Sequence, residues 1–176
     1  MMTDSQHIFR QVFDLIERSN GEPIPFPSGE TYCFRRKRSY DSQQLSAWQT
    51  EQGIELPEEY RSFLLDVGAC EIFYGGSGHE RGINFYALDE IYEIYKDCFD
   101  EPEAFLFTKL LPVAGDENLQ EIAAFAIEKE PPNNFSPFWH ECPPEDWINE
   151  ADELNDWQTF SSWLQSVVEH EGRRPL

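Results

Sequence analysis

The longest apolar run in the chain, Ile122-Ala123-Ala124-Phe125-Ala126-Ile127, is far shorter than the ~20 residues a helix needs to cross a bilayer. As a strand it is apolar on both faces, which places it centrally in a sheet rather than on a solvent-washed surface. Short aromatic and β-branched runs surround it. They predict strands at residues 72–74 and 83–86, flanking the glycine-rich Gly75-Gly76-Ser77-Gly78, and at 105–113 and 119–127, joined through Gly115-Asp116-Glu117-Asn118. A last strand is expected over residues 135–140, after Pro131-Pro132-Asn133-Asn134, and Pro137 argues for an edge position because it offers no N–H to a neighbour.

Helical periodicity brackets this β-rich middle. Ile8, Val12, Leu15 and Ile16, with Phe9 and Phe13, predict an amphipathic helix that stops at Asn20-Gly21, followed by a Pro-rich loop over residues 22–28. Asp41 and Gln44 have the form of a capping box for a short helix that carries Leu45 and Trp48 toward Gly53. In Leu56-Pro57-Glu58-Glu59-Tyr60 the proline suits a first helical turn and the glutamates suit the positive end of the dipole. Tyr60, Phe63, Leu64 and Val67 form its inward stripe, and Gly68 ends it. Asp89 is placed to cap a further helix with Ile91, Ile94, Tyr95 and Cys98 on one face. Phe160, Trp163, Leu164, Val167 and Val168 then recur at i, i+3, i+4, i+7 and i+8, a stripe broad enough to dock a closing helix on the sheet.

The expected class is therefore α+β: one domain over residues 1–176, with N-terminal helices, a mostly antiparallel sheet of about five to six strands and a C-terminal helix packed on it. Against 13 Lys plus Arg stand 34 acidic residues, for a net charge of −21, which excludes a general binder of nucleic acid or anionic membrane. With 40% hydrophobic and 15% aromatic residues the chain holds too much core material for a disordered acidic tail. The N-terminus has neither a basic nor an apolar export region, and Cys33, Cys70, Cys98 and Cys142 stand apart without a CxxC pair. The expectation is a cytoplasmic protein with reduced thiols.

Four places carry a family resemblance. Ile54-Glu55-Leu56-Pro57-Glu58-Glu59-Tyr60-Arg61-Ser62-Phe63-Leu64 resembles the Leu-Pro helix of the SUKH superfamily, and Leu111-Pro112-Val113-Ala114-Gly115-Asp116 resembles its Leu-Pro-Val-Gly-Asp strand and turn. Phe138-Trp139-His140 sits where that family places an aromatic strand before an acidic loop, and Phe160-Ser161-Ser162-Trp163-Leu164 resembles its terminal helix. The order and spacing of the motifs supply the specificity, over a core of roughly residues 40–170, with the N-terminal helix and loop, 1–39, outside it. Glu117-Asn118-Leu119 and Gly68-Ala69-Cys70 depart from the family pattern, which often has glycines and an Asn-Gly there. The superfamily contains fungal cell-wall assembly regulators and bacterial toxin-immunity proteins, so the resemblance implies a protein-binding function.

Few residues suggest chemistry. His140 and Cys142 lack the second short-spaced pair that a closed zinc site requires, and Gly75-Gly76-Ser77-Gly78-His79 lacks the order and the lysine of a phosphate cradle. The expectation is no catalytic residue, no metal and no cofactor. Arg35-Arg36-Lys37-Arg38 looks like a nucleic-acid patch in isolation, but in so acidic a chain it reads as paired with its own surface.

Residues 141–156 hold Glu141, Glu145, Asp146, Glu150, Asp152, Glu153 and Asp156 with no Lys or Arg. A solvated loop is the default reading of such a segment. Trp147 among these carboxylates gives it the composition of a site that captures a basic partner, and these eight residues form the candidate binding set. Combined with the resemblance, the expected function is an immunity protein that occludes the substrate groove of a cationic, nuclease-type toxin. The alternative is a regulatory scaffold of the cell-wall assembly type. An enzyme is a distant third.

Overall fold

Helix α1 (Asp4–Ser19) buries Ile8, Phe9, Val12, Leu15 and Ile16 along the stripe that their spacing predicts. It opens a computed structural model that describes residues 4–75, 82–98, 109–116, 121–139 and 144–173. Asn20 and Gly21, both at positive φ, end the helix. In α2 (Ser42–Gln52) the capping box is complete: the Asp41 carboxylate accepts from the Gln44 N–H at 2.8 Å, and the Gln44 side chain accepts from the Asp41 N–H at 2.9 Å. Helix α3 (Glu58–Asp66) begins one residue later than expected, with Pro57 just outside it at ψ 138° and accepting from the Arg61 N–H at 2.8 Å. After α3 the chain turns at Gly68, φ +90°, where any Cβ would lie 2.2 Å from the Arg38 carbonyl oxygen.

The sheet runs β1 (Ile24–Pro25), β2 (Thr31–Arg38), β3 (Ala69–Tyr74), β4 (Ile83–Phe85), β5 (Leu110–Asp116), β6 (Glu121–Ala126) and β7 (Phe135–Trp139) in chain order, every neighbouring pair antiparallel. Seven strands exceed the five to six expected. The additional ones are β1 and β2, in the stretch where only a loop and a basic cluster are legible. In β2, Tyr32, Cys33 and Phe34 are buried and the four cations follow directly, so no polar-apolar alternation marks the strand. β6 is buried at all six positions and flanked by β5 and β7, while β7, with Pro137, is an edge.

Helices lie on both faces of the sheet. On one, α6 (Phe160–Glu169) buries all five residues of its predicted stripe, and the Phe160 ring packs against Phe135 at 5.2 Å, Phe63 at 5.3 Å and Phe125 at 5.8 Å. On the other lies α5 (Pro144–Leu154), a helix in place of the solvated loop that the acidic segment suggested. Trp147 and Ala151, one turn apart, give it a narrow buried stripe that the surrounding carboxylates hide in the sequence. Helix α4 (Ile91–Cys98) is present as expected, but Asp89 does not cap it by any described hydrogen bond. Its carboxylate pairs with Arg38 at 2.9 Å, and Glu90 accepts from the Ala87 N–H at 2.8 Å. Among the described residues no helix is long and apolar enough to cross a membrane.

Candidate acidic recognition surface

Helix α5 divides its residues cleanly. Asp146, Glu150 and Glu153, at i, i+4 and i+7, are all exposed and share one outward stripe, and none of the three has an ion pair among the described residues. Asp156 follows, also exposed. Asp152 points elsewhere: it pairs with Lys129 at 3.1 Å and accepts from the Trp157 indole N–H at 2.7 Å. The hydrogen bond from Lys129, then that from Trp157, holds its carboxyl below the ordinary value. Lys129 also lies over the Trp157 ring, 5.0 Å from its centre. The acidic segment therefore has a local cation that its own sequence does not contain.

Trp147 needs correction. Its ring is 1% exposed and stacks on Phe138 at 5.1 Å with an interplanar angle of 3°. It fastens α5 to the sheet, so it presents no surface to a partner. Leu154 is the large apolar side chain that this helix exposes, at 62%, and no spacing signal singled it out. Glu141 lies outside the described residues, as do His140, Cys142 and the glycine-rich loop from Gly76 to His79. Glu145 lies on α5 but its side chain is outside them too.

Beyond α5 the chain crosses the sheet edge. Phe135 and Gln158 exchange two backbone hydrogen bonds, of 3.1 and 3.0 Å, which carry Asp156 from the α5 face toward the α6 face. The acidic surface thus turns around β7 instead of stopping at the helix end.

The basic cluster is paired within the chain, as its acidic context predicts. Arg35 is bound to Glu71, Arg36 to Glu17 at 3.3 Å, Lys37 to Glu90 and Arg38 to Asp89 at 2.9 Å. Cys33 and Cys70 are free and buried, and burial pushes both thiols up, away from the thiolate that nucleophilic or metal chemistry requires. Among the described residues no group of three His, Cys, Asp or Glu is arranged to hold a metal. The Tyr60 hydroxyl, fully buried, has no hydrogen-bond partner there.

The family model described as SMI1 / KNR4 family (SUKH-1) matches residues 40–166. A relative named Immunity protein RhsIB, from Dickeya dadantii (strain 3937), is 30% identical over 169 residues, covering 96% of this chain and 98% of that protein. With well over half of the chain matched in this way, and with the Leu-Pro helix, the β5 strand and α6 where the motifs require them, the chain belongs to the SMI1 / KNR4 family (SUKH-1).

Proposed function

We propose that this protein is an immunity protein that neutralises a cationic toxin domain, of nuclease type, by covering its substrate groove in the cytoplasm without catalysis of its own. The observation that carries the reading is the stripe of Asp146, Glu150 and Glu153, exposed along α5 and without an ion pair among the described residues. Like charges at this spacing cost a helix about 0.2–0.5 kcal/mol per pair. Trp147 and Phe138 supply the packing that holds the helix in spite of that cost. The immunity function of RhsIB, a relative over nearly the whole chain, supports the same reading.

A nuclease grips phosphates with Lys and Arg, and a preorganised row of carboxylates occupies that grip without the flexibility of a nucleic-acid strand. At a net charge of −21 the long-range field also steers a basic partner to the surface. The test is capture of a partner from the native host, followed by stopped-flow association of the purified pair at rising salt. Reversal of Asp146, Glu150 and Glu153 to Lys is expected to slow association by about 10-fold or more and to flatten its salt dependence. An unchanged rate and salt slope overturns the assignment of the surface, and a partner without a basic face overturns the function.

A further inference from the structure

We infer that the groove between α1 and the end of α6 docks an extended segment of a partner protein, about five residues long, with apolar side chains and one carboxylate. The groove has a volume of about 630 Å³ and opens to solvent. Its floor is Leu15 and Val168, one from the buried stripe of each helix. One wall is Pro25-Phe26-Pro27, on the way from β1 to β2. The rings of Tyr32, Phe34 and Phe73 hold the Phe26 ring at 5.4, 5.6 and 5.4 Å, and the flanking prolines have a fixed φ, so this wall is formed before anything binds. Ser28 fastens it to the chain beyond α6: its N–H donates to the Glu171 carboxylate at 3.2 Å and its hydroxyl donates to the other carboxylate oxygen. The whole lining lies outside residues 40–166, so the groove is an addition to the segment that the family model matches.

The lining sets the occupant. From His7 to Arg18 the opposite wall runs for about 16 Å along α1, room for about five residues of extended chain. The apolar floor and the Phe26 wall favour apolar side chains. Pro25 and Pro27 offer no N–H, so the segment is read through its side chains. The carboxylates of the lining are all engaged within the chain: Asp14 pairs with Arg10 at 3.0 Å, Glu169 accepts from the Gln165 side-chain amide at 2.7 Å, and Glu171 holds Ser28. Arg18, exposed in the last turn of α1, has no ion pair or hydrogen bond among the described residues. The charge left for a ligand is therefore a single guanidinium, which selects a carboxylate at that end of the segment. A net charge of −21 opposes a strongly acidic segment, so one carboxylate beside Arg18 is the complement, and apolar burial supplies the rest. The groove lies on the α6 side of the sheet and the α5 stripe on the other, so the inference does not depend on the partner's basic face.

The test is selection of random seven-residue peptides, displayed on phage, against the immobilised parent and in parallel against Gln11→Trp, which carries a large ring into the groove from an exposed position. The expected result is a class rich in apolar residues with one Asp or Glu, enriched on the parent and lost on Gln11→Trp. For the synthetic consensus peptide, exchange of its acid for the amide should weaken binding to the parent by about 2- to 5-fold and change nothing with Arg18→Gln, as a fluorescence titration would read it. Both variants should unfold like the parent, because both positions are exposed. No enriched class, or one that binds Gln11→Trp as well as the parent, overturns the groove. Enrichment of basic peptides alone, lost when Asp146, Glu150 and Glu153 are reversed, overturns the groove and leaves the neutraliser reading standing. An apolar class that keeps its preference for the acid in Arg18→Gln overturns the pairing with Arg18.

Discussion

The Glu59 carboxylate, on α3, accepts a hydrogen bond from the backbone N–H of Phe160 at 3.1 Å and another from the Ser161 hydroxyl at 2.6 Å, so that one helix caps the start of another 101 residues away. Thr159 takes the Ser162 N–H at 3.0 Å, and the two side chains together satisfy two of the N–H groups that α6 cannot bond internally. Phe160 lies at the centre of the aromatic core, so this cap fixes where the ring enters. Glu59→Ala is expected to lower stability by about 1–2 kcal/mol in urea denaturation. A variant that unfolds with the parent would mean that water replaces the carboxylate without loss.

The same contact decides the control for electrostatic steering. Reversing Glu59 would damage α6, so the charge-matched control for the α5 reversals is Glu51, Glu55 and Glu58 to Lys, all exposed and all far along the chain from α5. This set is expected to slow partner association less than reversal of Asp146, Glu150 and Glu153, because only net charge changes. Equal slowing by the two sets in stopped-flow measurements would show that the field of the whole molecule, and not the α5 stripe, guides the encounter.

Trp147→Ala should cost about 3–5 kcal/mol, the range for removing a large buried ring, and it should do so with no partner present. Thermal or urea unfolding of the isolated protein measures it. Parent-like unfolding would contradict the stacked, interior position against Phe138.

Tyr60→Phe is expected to unfold at or above the parent temperature. The hydroxyl is buried without a partner among the described residues, and burial raises its pKa well above the ordinary value. Leaving such a group unsatisfied costs about 1–3 kcal/mol, which the substitution removes while the ring stays in place. A clear loss of stability would reveal a hydrogen bond that the described residues do not supply.

The Asp152 carboxyl is held below its ordinary pKa by Lys129 and by the Trp157 indole, so its contribution has a definite sign with pH. A depressed folded-state pKa stabilises above the unfolded value and is lost as pH falls through the folded one, in the acid range alone. Lys129→Met should move the NMR titration midpoint of Asp152 upward toward that of an ordinary carboxylate. No movement would assign the shift to Trp157.

Local signals carried most of the fold. The stripes of α1 and α6 and the capping box of α2 depend on residues within a few turns of one another, and all are found where the spacing puts them. β2 was hidden because its four cations find their acids at Glu17, Glu71, Asp89 and Glu90, none of them nearby in sequence. Trp147 was misplaced for a similar reason, since whether an aromatic ring in an acidic segment turns inward depends on Phe138 across the sheet. The composition of the acidic segment was legible, but the division of labour between Asp152, tied to Lys129, and its outward neighbours was not.

The backbone at the β7 edge limits how any other protein can attach. Phe135 already exchanges both outward hydrogen bonds with Gln158, and Pro137, the next outward position, has no donor to offer. At the far side of the sheet β1 covers Thr31 and Tyr32 of β2, and at Phe34 the N–H is taken by the Ser19 hydroxyl at 2.9 Å and the carbonyl by the Gly21 N–H at 2.9 Å. An incoming strand therefore finds little to zip onto at either border, and recognition by β-addition is disfavoured from the start. Whatever binds this protein must read its side chains, and the protein can accumulate ahead of its partner with few open edges through which its copies could polymerise.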